Sequence, residues 1–275
     1  MNIKCIALDL DRTTLNAHGK LSSGNFAALS DAIKKGVHIV IASGRSFDTL
    51  PEDVLAVPGI EYAITSNGAA VYHIPTKKRL SEHKMTPDSI HTILTIAKQY
   101  GVALEVFIDG IAYALKAYVD DPVSYGTTPE AIPYIQSTRN PIEDIVSFIE
   151  DHIHEIDSMD LVVSGDVLKN EIWQQLSNAC DEIYITSSVS QLIEISHKNA
   201  GKHSGLSFIR EYLNLTKDET AAFGDGDNDV DLLKEAGIGI AMENASPKCK
   251  AVATYITKHH DLDGVAYGIA NFLKI

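Results

Sequence analysis

The chain has 275 residues, enough for one large domain or two unequal ones at ~100–200 residues per domain. Hydrophobic residues make up 45 % and charged residues 22 %, which sets intrinsic disorder and a disulfide scaffold aside. Its 23 basic and 37 acidic residues leave a formal charge of −14, a field that repels nucleic-acid backbones and anionic lipid, so neither is expected as a partner.

Ile3 to Leu10 is a nearly continuous apolar run ending in acid, the pattern of a strand buried on both faces in a parallel sheet. Ser22 and Ser23 offer N-caps for a helix on which Phe26, Leu29 and Ile33 recur at helical spacing before Gly36 ends it. Val37 to Ala42 follows as a second buried strand and completes a βαβ unit. A helix over Ser46 to Val57 and a strand over Glu61 to Thr65 extend the series. Ala70 to Tyr72 and Lys78 to Leu80 flank a Pro-Thr turn and read as a small hairpin near a domain boundary.

From Met85 to Ser188 the order changes. It runs helix (Pro87 to Tyr100), two strands (Val102 to Ile108 and Ile111 to Leu115), a Pro-rich irregular stretch (Asp121 to Pro141) and a helix. A strand (Asp160 to Val163), a helix (Val167 to Cys180) and a strand (Ile183 to Ser188) follow. Paired strands among helices predict an α+β module. The buried-strand rhythm then resumes: helix Lys202 to Leu213, strand Thr220 to Phe223, helix Asp229 to Glu235, strands Gly237 to Ala241 and Tyr255 to Thr257, and an apolar helix Val265 to Leu273. The predicted fold is α/β: a Rossmann-like parallel-sheet core, residues 1–84 and 189–275, with an α+β insertion over 85–188.

In open parallel sheets ligands bind at the carboxyl ends of the strands. The first core strand ends in Asp9-Leu10-Asp11 with Thr13 behind it, the second in Ser43-Gly44-Arg45, and the strand after the insertion in Gly224-Asp225-Gly226-Asp227-Asn228-Asp229. Asp9 and Asp11 share one face if the strand persists, and a divalent cation would relieve their repulsion. A lone DxD also serves in turns and caps, but three carboxylates and an amide in six residues are harder to read as solvated loop.

Rival motifs fail at defined positions. An EF-hand starting at Asp225 has Val230 where the turn Gly is needed and Ala236 where the bidentate Glu is needed. A dinucleotide fingerprint has Asp229 for its third Gly, and a Walker loop around Gly201-Lys202 has His203 for its Ser or Thr. Ser43-Gly44-Arg45 supplies a hydroxyl and a close-approaching amide for an oxyanion. Carboxylates for a hard cation, hydroxyl and amide donors, one Lys and one Asn fit phosphoryl transfer with Mg²⁺. With no Ser-His pairing evident, the nucleophile would be a carboxylate.

With these residues in place, the chain resembles the haloacid dehalogenase superfamily of phosphatases, and within it the Cof-type branch, over essentially its whole length. The family's DxDGT motif looks like Asp9-Leu10-Asp11-Arg12-Thr13, its second-motif Ser like Ser43, its Lys like Lys202, and its GDxxND like Gly224, Asp225, Asn228 and Asp229. The resemblance implies Asp9 as nucleophile and Asp11 as acid and base. It implies Asp9, the Asp11 carbonyl and Asp225 as Mg²⁺ ligands, and the Leu10 amide, Ser43, Gly44, Lys202 and Asn228 around phosphate. Asp229 and Thr13 stand behind these groups. A small phosphorylated metabolite is the implied substrate, such as a sugar phosphate or phosphorylated cofactor; no protein partner is inferable. A phosphotransferase or phosphomutase, and a non-catalytic phospho-ligand-binding regulator, are the alternatives on the same scaffold.

Two positions depart from the family: Arg12 replaces a Gly and Thr14 an apolar residue. If position 12 needs positive φ, Arg costs ~1–2 kcal/mol there. Tyr113, Tyr118, Tyr125, Tyr134 and Trp173 of the insertion read as core more readily than as a stacking surface. His91, His152, His154 and the pair His259-His260 have no metal-motif spacing. Cys5, Cys180 and Cys249 form no CxxC pair, so no thiolate zinc site, redox dithiol or disulfide framework is expected. The run before Asp9 is too short for a signal peptide's apolar region and none reaches the ~18 residues of a membrane span, so the expected location is the cytoplasm.

Overall fold

The computed structural model describes residues 2–275. Cys5–Leu8 forms β1, buried at every position as its unbroken apolar run requires. The helix Ser23–Lys34 starts where the Ser22 side chain accepts the Asn25 N–H, a cap for one orphan donor. It leads to β2, His38–Ala42. The single helix expected over 46–57 is instead a 3₁₀ turn, Phe47–Thr49, and a one-turn helix, Glu52–Leu55. Pro51 is the reason: its ring drives Leu50 to an extended ψ of 135° and breaks the run. β3 (Tyr62–Thr65), β4 (Ala70–His73) and β5 (Lys78–Glu82) follow, β4 antiparallel to both.

Residues 83–199 make a unit of their own, and the other described residues make the second. In 83–199 the helix Pro87–Tyr100 is capped by Thr86 and closed by Gly101 at φ 63°. β6 (Ala103–Ile108) and β7 (Ile111–Leu115) form a hairpin through Asp109 and Gly110, both left-handed as a tight primed turn requires. A short helix, Lys116–Asp120, follows β7, and the stretch expected to be irregular, Asp121 to Pro141, carries 3₁₀ turns at Pro122–Tyr125 and Pro129–Ala131, a helix Ile132–Thr138 and the start of β8, Asn140–Ile142. The helix Ile145–Asp151 precedes β9, Ile156–Val162, and the helix Asp166–Ala179 precedes β10, Ile183–Thr186.

β11, Leu192–His197, has no counterpart in the sequence expectation, which ended the insertion at 188. It pairs antiparallel with both β10 and β9 and so belongs to the second sheet, ordered β10-β11-β9-β6-β7-β8. Glu194 and Ser196 interrupt its apolar pattern, as Asp157, Ser158 and Asp160 interrupt that of β9, which hid the first and shortened the second. Tyr118 is buried in this unit beside Val119 and Ile135, and Tyr113 and Trp173 pack against its core, in agreement with the core reading.

The chain returns through the helix Lys202–Tyr212 to β12 (Thr220–Gly224), the helix Val230–Glu235, β13 (Ile238–Ala241), the helix Pro247–Val252 and β14 (Tyr255–Ile256). The first sheet runs β14-β13-β12-β1-β2-β3-β4-β5, parallel from β14 to β3. β1 lies between β12 and β2, so the carboxyl ends of all three open on one edge at the point where the winding reverses. All three cysteines are free. Among the described residues no helix is long and apolar enough to cross a membrane.

Candidate active site

β1 and β12 deliver acids to that edge. Asp9 directly follows β1, its N–H bonded to the Phe223 carbonyl at 3.1 Å, and Asp225 follows β12. Lys202 opens its helix after Gly201, which sits at φ 119°. The Lys202 Nζ donates to Asp9 Oδ1 and to Asp229 Oδ1, each at 2.7 Å, with only 1 % of the lysine exposed. The other oxygen of Asp229 accepts the backbone N–H groups of Asp225 and Gly226 at 2.9 and 3.0 Å. Thr13 Oγ1 donates to Asp225 Oδ1 at 3.2 Å, and Thr14 Oγ1 to the Asp9 carbonyl at 2.6 Å. Thr14 thus replaces the family's apolar residue with a hydroxyl that is used.

Carboxylate oxygens of Asp9, Asp225 and Asp229 lie within 4.8 Å of one another. Burial first, and then the neighbouring Asp229, push the Asp9 carboxyl well above its usual range against the pull of Lys202. The same two causes raise Asp225 to about 7. Burial opposes the charge on Lys202, yet Asp229 and Asp9 outweigh it and hold the ammonium protonated. Three buried carboxyls face one buried ammonium, so the site is short of positive charge and suits a hard cation.

The second strand end places Ser43, 1 % exposed, with its Oγ accepting the Arg45 N–H at 3.1 Å. Gly44 is half-buried beside it and Leu10 is buried behind Asp9. Asn228 Nδ2 donates to Asn67 Oδ1 at 3.1 Å. The Asp11 carboxylate does not join the other acids. It turns outward, its side chain 54 % exposed, and Arg45 grips it through Nε at 2.8 Å and Nη2 at 2.7 Å. Asp227 is also drawn away, to Ser246 Oγ and Lys248 Nζ at 2.7 Å each.

Arg12 takes the left-handed conformation, φ 60° and ψ 15°, that a family Gly would occupy without strain. Its side chain is 60 % exposed, with Nε 3.8 Å from Asp225 Oδ2.

Several residues here went unnoticed in the sequence. Ser66, Asn67 and Gly68 are consecutively left-handed at φ 47°, 50° and 88°, at the carboxyl end of β3. A Cβ on Gly68 would lie 2.0 Å from the Gly201 carbonyl oxygen, so this turn abuts the backbone that launches Lys202. Asn244, beyond β13, donates to the Arg12 carbonyl at 2.8 Å and to Asp225 Oδ2 at 3.3 Å. Inspecting the ends of β3 and β13 as well as β1, β2 and β12 would have found both.

The sequence model of the haloacid dehalogenase-like hydrolases matches residues 6–269. The chain belongs to that family. This hydrolase is 28 % identical over 274 residues to a 5-amino-6-(5-phospho-D-ribitylamino)uracil phosphatase of Bacillus subtilis, covering 99 % of this chain and 97 % of the relative. A haloacid dehalogenase-like hydrolase structure from B. subtilis superposes with TM-score 0.86 at 25 % identity, covering 98 % of this chain and 100 % of that one. A subclass IIB sugar phosphatase shares the fold at TM-score 0.81 and 21 % identity over 99 % of this chain and 100 % of its own. The hydrolase is a phosphatase of the Cof-type branch.

Proposed function

We propose that this phosphatase is Mg²⁺-dependent and hydrolyses small phosphomonoesters, sugar phosphates or phosphorylated cofactors, through an aspartyl-phosphate on Asp9. The observation that carries the reading is the Lys202 ammonium held between Asp9 and Asp229 beside Asp225. Lys202 occupies Asp9 Oδ1, which leaves Oδ2 to attack phosphorus. The new bond joins Asp9 to phosphorus as the ester P–O bond breaks, and Asp11 gives its proton to the departing oxygen. Asp11 then takes a proton from water, which attacks phosphorus, frees Asp9 and releases inorganic phosphate.

Ser43, Gly44, the Leu10 amide, Lys202 and Asn228 bind the phosphoryl oxygens. Asp9, Asp225 and the Asp11 carbonyl would hold Mg²⁺, with Asp229 and Thr13 positioning them. The all-oxygen donor set and the excess of buried carboxyls fit that ion, which supplies charge neutralisation for the acids and for phosphate. The unit made of β1–β5 and 200–275 is assigned the chemistry, and residues 83–199 the choice of leaving group. The B. subtilis relative's phosphorylated ribityl substrate is of the class proposed.

Pure protein with Mg²⁺ should release phosphate from members of a phosphomonoester panel, lose this with a chelator, and carry a phosphoryl mass increment on the Asp9 peptide after rapid quench. Asp9→Asn should reduce turnover to background; intact turnover would overturn the assignment.

A further inference from the structure

Among the described residues two groups of side chains converge closely enough to hold a metal ion: the acids at the strand ends, and His259, His260 and Asp261. The second group lies in the unit that carries Asp9, and the chemistry above leaves it unused. Its residues are consecutive, so no motif spacing marks them in the sequence. A 3₁₀ turn, His260–Leu262, with His259 as its cap, brings them together just beyond β14.

Hydrogen bonds fix each donor atom of the group. The His260 ring, 6 % exposed, meets the Leu15 carbonyl through Nδ1 at 2.9 Å. A carbonyl only accepts, so Nδ1 carries the proton and Nε2 keeps a lone pair, the arrangement that orients metal-binding histidines. The His259 Nδ1 accepts the Asp261 N–H at 3.3 Å, so it too presents a lone pair. Asp261 is held through Oδ1, which accepts the Ala17 N–H at 2.8 Å. Its Oδ2 lies 3.5 Å from His259 Nδ1 and 3.7 Å from His260 Nε2. With both rings neutral, three lone-pair atoms face one another with no proton between them, and a cation would relieve the repulsion. The turn itself is tied down at the end of β13: the His259 N–H donates to Glu243 Oε2 and the His260 N–H to Asn244 Oδ1, each at 3.1 Å.

We propose that His259, His260 and Asp261 form a site for one zinc-class divalent ion, separate from the acids at the strand ends. A tetrahedral ion with bonds of ~2.0–2.1 Å puts neighbouring donors ~3.3 Å apart. The observed 3.5 and 3.7 Å therefore need only small side-chain shifts. Two imidazole nitrogens and one carboxylate favour Zn²⁺, Co²⁺ or Ni²⁺ over Mg²⁺, which takes oxygen. The ion takes the His259 lone pair in place of the Asp261 N–H, whose hydrogen bond is the longest of the group. The His259 and Asp261 side chains are 38 % and 40 % exposed, so the ion enters from solvent and water completes its shell.

The test titrates the metal-stripped full chain with Zn²⁺ by calorimetry, with Mg²⁺ in large excess to compete for the acids. The wild type should bind one zinc ion that Mg²⁺ does not displace, and His259→Gln should weaken that binding about tenfold or more. Absence of zinc binding under Mg²⁺, or binding unmoved in His259→Gln, overturns the proposal. Should His259→Gln fail to fold, Asp261→Asn is read the same way. Nitrogen-15 NMR of the imidazoles gives a readout on the wild type: zinc should shift His259 Nδ1 and His260 Nε2 while His260 Nδ1 keeps its proton. Shifts confined to other histidines overturn the site.

Discussion

Arg45 holds the carboxylate of Asp11 at two points, 2.8 and 2.7 Å, while its Nη1 is tied to the Thr49 carbonyl at 3.0 Å. The fork fixes the orientation of the acid proposed to serve the leaving oxygen, which a lysine could not do. Arg45→Lys should lower kcat about tenfold to a hundredfold through misplacement of Asp11. Because Asp11 is half exposed, stability should change by no more than ~1 kcal/mol. Steady-state kinetics and denaturant titration separate the two effects; equal kcat in variant and wild type would remove Arg45 from the mechanism.

Among the described residues Lys202 is the one cation placed between Asp9 and Asp229, and it is fully buried. Lys202→Met should abolish turnover and destabilise the protein by ~3–5 kcal/mol at neutral pH, since it strands buried carboxylates without their counter-ion. Urea unfolding at pH 7 reads the loss directly. A variant as stable as the wild type would mean that the carboxyls take up protons at little cost.

Arg12→Gly exchanges about 1–2 kcal/mol of left-handed strain for the ~0.5–1 kcal/mol of backbone freedom a glycine loses on folding. The net stability change should stay within ~1 kcal/mol, with kcat within a few fold. A large fall in kcat would show that the guanidinium beside Asp225 contributes to turnover.

Gly68→Ala combines a φ of 88° with a Cβ placed 2.0 Å from a backbone oxygen of Gly201. Neither partner is a flexible side chain, so the loss should be on the order of 2 kcal/mol or more. Because Gly201 precedes Lys202, turnover should fall even at temperatures where the variant stays folded. Circular dichroism and kinetics on one preparation check both.

The raised Asp160 carboxyl sets a sign for pH dependence. Burial first, then Glu194 and Glu105, acting against the pull of Arg139, make the native state bind this proton more tightly than the unfolded chain does. Its contribution is therefore fully present below the ordinary value of 3.8 and is lost as pH rises from there through the raised native value. Between pH 4 and 7 the ligand-free wild type should lose more unfolding free energy than Asp160→Asn. Parallel stability–pH curves would show that Asp160 titrates normally.

The sequence alone determined the apolar strands and the chemistry at their ends, because a doubly buried parallel strand must be apolar and must hand its polar residues to the carboxyl edge. Asp9, Ser43, Lys202 and Asp225 were legible for that reason. What lay beyond it was set by contacts between residues far apart in the chain. Asp11 went to Arg45 and Asp227 to Ser246 and Lys248, partners that local spacing does not reveal. β11 stayed hidden because the acid and hydroxyls of its second face are buried only once β9 and β10 pair with it. The tertiary structure alone made Asp160 a deeply buried acid, because burial belongs to the assembled sheet and not to any residue in the chain.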